Sequence, residues 1–354
     1  MDDLISLILT LLIVLIAGGL ALLAQWGRKN RGAELSLIVI LLLLSFLVVV
    51  LGALVGLFVV LDTGLPAELL VSSAVVIALA GLTGLALCVP PLLKIFGYPR
   101  ATTAYGAANP GQDSAAAGPA LGARWSDPPV FFALWMFVIV LAGNVVTFLG
   151  FTLTPDAVDY ALTSAGRVSP VTLAFGQVPF LVMALCGVGI AVRRNFRETL
   201  TRLGYGSITL PQLGIVALFV VGALLLSFAV DTLFAALQPD LYEQVGEVSE
   251  GLFSPAGLSP ISAILFALLI GLGAGIGEET LFRGAVQPAL GITLTSILFA
   301  SMHVQYGPSL LLGYLFVISV GLGLLRKHIN TTASFAAHAG YNTLGVLLAY
   351  FFGL

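Results

Sequence analysis

The chain has 354 residues, 59% of them apolar and only 9% charged, with a formal net charge of −3 and a mean hydropathy of +1.10. Soluble domains carry roughly a quarter charged residues, so the composition excludes an ordinary soluble domain and points to an integral membrane protein. A nucleic-acid partner is not expected; the expected surroundings are membrane lipid.

Apolar runs long enough to cross a hydrocarbon core of about 30 Å fall at 4 to 25, 35 to 61, 69 to 93, 129 to 153, 171 to 192 and 212 to 237. Then follow 261 to 287, 291 to 304, 308 to 325 and 331 to 353, the second of these too short to span unaided. The expected fold class is all-α, a polytopic transmembrane helix bundle of about ten helical segments. Asp2 and Asp3 stand where a secretory signal needs positive charge, so the first run is read as a retained helix. Cys88 and Cys186 lie in predicted spans without metal-type spacing and read as small apolar side chains rather than a disulfide.

Between 97 and 128 runs an Ala-, Gly- and Pro-rich connector that cannot bury a core of its own. It divides the chain into a three-helix membrane region, 1 to 96, and a larger membrane region, 129 to 354, that holds every candidate site. Basic residues cluster at Arg28, Lys29 and Arg31, from Lys94 to Arg100, at Arg193, Arg194, Arg197 and Arg202, and at Arg326 and Lys327. These follow alternate segments, as a positive-inside topology requires, and place those ends in the cytoplasm with both termini outside. The expected location is the cell membrane, multi-pass. Opposite loops carry Asp62, Glu68, Asp156, Asp159 and the acidic stretch Asp240, Glu243, Glu247 and Glu250, with Arg167 the basic exception.

Three polar clusters interrupt the last apolar runs: Glu278, Glu279 and Arg283; Phe299 and His303; His338 and Asn342. A central charged residue costs about 2.5 to 3.5 kcal/mol on insertion scales, so acids, an arginine and histidines kept at such depth are expected to be used. In each cluster the defining residues are four apart and share one helix face. Glu279 can therefore reach Arg283, while Glu278, rotated by about 100°, faces something else, for which His303 is the candidate. His338 and Asn342 add two hydrogen-bond donors. A base, a histidine partner and two donors make an inventory for acyl transfer. Counting about 1.5 Å per residue from the expected turns near Gln287-Pro288 and Asn330 puts the three clusters at similar depths, in the half of the bilayer nearer the cytoplasm.

The same residues resemble the three motifs of the CAAX prenyl protease type II and bacteriocin-processing family, also called Abi or CPBP: Glu-Glu-x-x-x-Arg, Phe-x-x-x-His and His-x-x-x-Asn, within residues 260 to 350. The resemblance implies an intramembrane endopeptidase of a membrane-delivered peptide, such as a prenylated CAAX-type substrate. By position, Glu278 would be the general base, His303 its partner, and His338 and Asn342 the oxyanion site. Glu279 and Arg283 would be a structural or substrate-orienting pair, with Phe299 supporting. Glu278, His303 and His338 also make a three-ligand set for Zn²⁺, but the His-Glu-x-x-His helix signature is absent, and no cofactor is the favoured reading, with Zn²⁺ its alternative.

Two other classes compete. A noncatalytic immunity or scaffold member would keep the fold without cutting, and an ion-coupled transporter would use the same intramembrane acids and histidines, although no inverted repeat is visible. Asp231, inside the run 212 to 237, is the other acid needing an explanation. Asn144 and Gln177 read as interhelical hydrogen bonders, and the glycines from 271 to 277 as a close helix contact.

Overall fold

The computed structural model describes residues 2–61, 64–95, 127–154 and 169–353. Within them the fold is all-α, with seven stretches long and apolar enough to cross a membrane. The connector from 97 to 126 and the loop residues Asp62, Asp156, Asp159 and Arg167 lie outside the described residues.

Three long helices open the chain: α1 (Asp2–Gly27), α2 (Arg31–Leu57) and α3 (Ala67–Ile95). Asn30 caps α2 by accepting from Ala33 N at 3.1 Å, satisfying one of the donors a helix start leaves unpaired. Then come α4 (Pro128–Leu153), α5 (Pro170–Gly176), α6 (Val178–Gly187) and α7 (Phe196–Leu203). The second half comprises α8 (Leu210–Leu237), α9 (Pro239–Phe253) and α10 (Pro260–Glu279), a π-helical stretch Thr280–Val286, α11 (Gln287–Ser301), α12 (Leu310–His328) and α13 (Thr331–Phe352).

Several boundaries differ from the hydropathy pattern. The run 171 to 192 is two short helices that meet at Gln177 and give way to turns after Gly187, where Ala191 has φ 61°. Apolarity runs on through this break although the first piece is largely exposed, with Phe175 60% accessible, and only Ala184 of the second is fully buried. Helices α7 and α9 escape a search for apolar runs altogether. α7 is held by a capping box between Asn195 and Glu198, and α9 is the acidic stretch, which buries Val245 and Val248 on one face. The expected turn at Gln287-Pro288 does not occur, because proline at a first helical turn loses no hydrogen bond. Helix α11 starts there, and the chain bends at Gly291 (φ 83°, ψ 174°), a conformation that glycine alone adopts without strain.

Two clusters of buried side chains hold the bundle. One joins α1, α2 and α3 to α4 through Leu37, Leu41, Cys88, Phe131 and Trp135, and includes a buried hydrogen bond from Trp135 Nε1 to Ser45 Oγ at 2.8 Å. The other joins α8, α12 and α13 through Val220, Ile318, Leu322 and Ala337. Leu15, Phe46, Leu218 and Ile261 are more than half exposed, the outward apolar surface that lipid, and not water, would solvate. Cys88 and Cys186 are both free thiols.

The contact that places the site is between α10 and α13. A methyl at Gly271 would sit 2.5 Å from the Ala339 carbonyl oxygen and one at Gly275 would sit 2.9 Å from the Phe335 ring, so the glycines expected to allow close packing do so here. The start of α13 is tied to the segment after α7: Thr331 N donates to Gly204 O at 2.9 Å, Thr331 Oγ1 to Leu203 O at 2.6 Å and Asn330 Nδ2 to Ser207 O at 2.7 Å.

Candidate active site

At the junction of α10 and the π-helical stretch, Glu279 and Arg283 are both fully buried. Arg283 Nε lies 3.2 Å from Glu279 Oε2, an ion pair, and Nη2 donates to Ser319 Oγ on α12 at 3.0 Å, while Nε and Nη1 make no hydrogen bond. The guanidinium carbon stands 5.2 Å from the centre of the Phe299 ring, within cation–π range. Two hydrogen-bond donors converge on the same carboxylate from α13: Ser334 Oγ on Oε2 and His338 Nδ1 on Oε1 at 3.0 Å. Burying a charge is costly unless its partners are all supplied, and here the arginine, the serine and the histidine supply them.

Glu278 has none of this company. It is half-buried, and its Oε2 atom is shielded from solvent with no hydrogen-bond partner. The expected direct pairing with His303 is absent. His303 Nδ1 is 2.9 Å from the Phe299 carbonyl oxygen, and since a carbonyl only accepts, Nδ1 carries the hydrogen and is occupied by the preceding turn. A neutral imidazole in that tautomer presents an acceptor lone pair at Nε2. The ring stacks on Tyr306 with planes 5° apart and centroids at 6.0 Å.

Phe299 brings the three clusters together. Its ring lies 4.9 Å from that of His303 and 5.9 Å from that of His338, and meets Phe282 edge-on at 5.2 Å. Asn342 sits one turn beyond His338 on α13 and is half-buried. Four-residue spacing pairs His338 with Asn342, apart from Glu279. The structure joins His338 to Glu279 instead, and adds Ser334, which occupies the position four residues before His338 and so was legible as a third polar rung on one face. Ser319 carried no such signal. Nor did the hydroxyl pair Tyr205 and Thr280, whose oxygens are 2.5 Å apart at the start of the π-helical stretch.

The remaining polar expectations divide. Asn144 Nδ2 donates to Ser301 Oγ at 3.0 Å, an interhelical bond between α4 and α11. Gln177 lies over Gly277, with its buried Oε1 unpaired. Asp231 is exposed and accepts from Tyr242 Oη at 3.3 Å; its carboxylate raises the Tyr242 phenol above the ordinary tyrosine range. Among the described residues no three His, Cys, Asp or Glu side chains are grouped to hold a metal ion.

Comparison with known families finds a match for residues 260–344 to the model of the type II CAAX prenyl endopeptidase Rce1-like family. Residues 260–344 are similar to an Rce1-like domain. The matched stretch runs from the start of α10 into α13 and contains Glu278, Glu279, Arg283, Phe299, His303, His338 and Asn342, while α1 to α9 lie outside it. No curated protein and no solved structure matches the chain. The matched family is one of proteases, with membrane-associated peptides as substrates.

Proposed function

We propose that this protein is an intramembrane endopeptidase that hydrolyses a membrane-delivered peptide of the prenylated CAAX type. The observation that carries this reading is the division of labour between adjacent acids. Glu279 is saturated by Arg283, Ser334 and His338, whereas Glu278 keeps a shielded carboxylate oxygen without a partner.

In this mechanism a water molecule stands between Glu278 and Nε2 of His303. Glu278 takes one proton of the water as its oxygen attacks the substrate carbonyl, while the other hydrogen stays on that oxygen and is hydrogen-bonded to His303 Nε2, which fixes the direction of attack. The C=O electrons move onto oxygen. The oxyanion is met by the Asn342 amide and by His338, whose Nδ1 is committed to Glu279, so that donation from Nε2 uses the imidazolium form. Collapse breaks the C–N bond, and the proton held by Glu278 passes to the leaving amine. A carboxylate that orients a histidine in this way also stabilises its cationic form. Preorganised donors of this kind are worth about 3 to 4 kcal/mol each in known cases.

The test is cleavage of farnesylated and unmodified CAAX peptides by purified, reconstituted protein, wild type against Glu278→Gln and His303→Ala. Cleavage of the lipidated peptide by wild type and its loss in both variants, with unchanged melting temperature, is the expected result. Retention of cleavage in Glu278→Gln would overturn the assignment of the base, and silence from folded wild type across the peptide set would favour a noncatalytic role.

A further inference from the structure

A cavity of about 590 Å³ lies between α1, α4, α6 and the π-helical stretch, within the roughly 300–1,000 Å³ typical of small-molecule sites. None of Glu278, His303, His338 or Asn342 lines it; Phe282 lines it and also packs against Phe299 in a T-shaped contact at 5.2 Å. The interior is apolar, including Met136, Phe180, Met183 and Met302.

One end of the cavity is different. Arg28, Arg194 and Arg202 line it against a single acid, Asp127. Asp127 is taken by Arg28 through paired hydrogen bonds, one of them 2.7 Å. Arg194 and Arg202 reach only backbone carbonyls among the described residues, those of Val188 and Gly284. Crowding is severe at this end: burial, with Arg194, Arg28, Arg326 and Arg193 nearby, lowers the Arg202 pKa below the usual arginine value. Arg326 Nε, close by over Gly204, is buried without a partner. Arg194 and Arg202, without a carboxylate partner among the described residues, thus stand at the mouth of an apolar chamber, while Arg28 is neutralised by Asp127.

We infer that the cavity binds an anionic phospholipid, its phosphate held by Arg194 and Arg202 and an acyl chain lying along Met183 toward Met302. The charge complementarity argues for this occupant: basic pockets between transmembrane helices recognise anionic headgroups, while a zwitterionic lipid would leave the surplus positive charge in place. The inference does not depend on proteolysis.

Native mass spectrometry of the full-length protein in detergent, titrated with phosphatidylglycerol, phosphatidylcholine, inorganic phosphate or a farnesylated peptide, tests it. Phosphatidylglycerol should bind most tightly, and Arg194→Gln with Arg202→Gln should weaken it by at least about tenfold while weakening phosphatidylcholine less, so that the preference between the two lipids shrinks. Ala133→Trp, which fills the chamber but spares the arginines, should also weaken it and serves if the arginine variant fails to fold. Equal affinity for the two lipids, or no effect of either variant, would overturn the proposal. So would phosphate binding as tightly as the lipid, which would mark a free-anion site, or stoichiometric displacement by the farnesylated peptide, which would mark a substrate chamber.

Discussion

At the level of single residues, adjacent glutamates do different work because one is surrounded and the other is not. Glu279→Gln leaves the Arg283 guanidinium buried without its counter-charge, and breaking a buried pair in this way costs about 3 to 5 kcal/mol. A lower melting temperature and poor yield are expected. Glu278→Gln removes no hydrogen bond of Oε2, so stability should hold while cleavage falls about 10² to 10⁴-fold, the range for loss of a general base. A variant pair with the reverse pattern would exchange the roles assigned here. The pairing of Glu279 with Arg283 and the polar face of His338 and Asn342 were legible from four-residue spacing. The link from Glu279 to His338 was not, since spacing within one helix says nothing about which faces of two helices meet.

Between elements, the decisive feature is how closely α10 approaches α13. Gly275→Val would drive a branched side chain into Phe335, where even a first carbon would lie 2.9 Å from the ring. The helices must then separate, and His338 moves away from Glu279. We expect activity to fall by at least about 10²-fold, the scale of a displacement of about 1 Å at a catalytic group, accompanied by a loss of stability measurable by thermal unfolding in detergent. Retained activity would mean that the site tolerates looser packing than its hydrogen bonds suggest. The glycine run itself announced this contact. The π-helical stretch and the bend at Gly291 did not announce themselves, because a proline next to them offered the more obvious break and both conformations depend on what surrounds the chain. π-Helical stretches recur at functional sites, and this one directly follows the two glutamates.

For the whole molecule, hydropathy revealed the all-helical membrane class and nearly every long span, since length and apolarity are what a bilayer demands. It did not reveal how the first three helices relate to the rest. They share a core with α4, where Trp135 reaches Ser45, and α1 forms a wall of the cationic chamber. A chain shortened to residues 127–354 would expose Phe131, Phe132 and Trp135, each now less than a tenth exposed. It should aggregate or lose its sharp elution on size-exclusion chromatography in detergent, and a stable, monodisperse product would show that the remaining helices are self-sufficient.

Helix α13 carries Ser334, His338 and Asn342 on one face like teeth on a key, and the start of that helix is pinned to residues 203 to 207 by Thr331 and Asn330. A helix cannot turn about its axis by parts. Whatever grips or releases that segment at the basic end of the bundle therefore sets the phase of all three polar groups together, and the site would switch in and out of register as a unit.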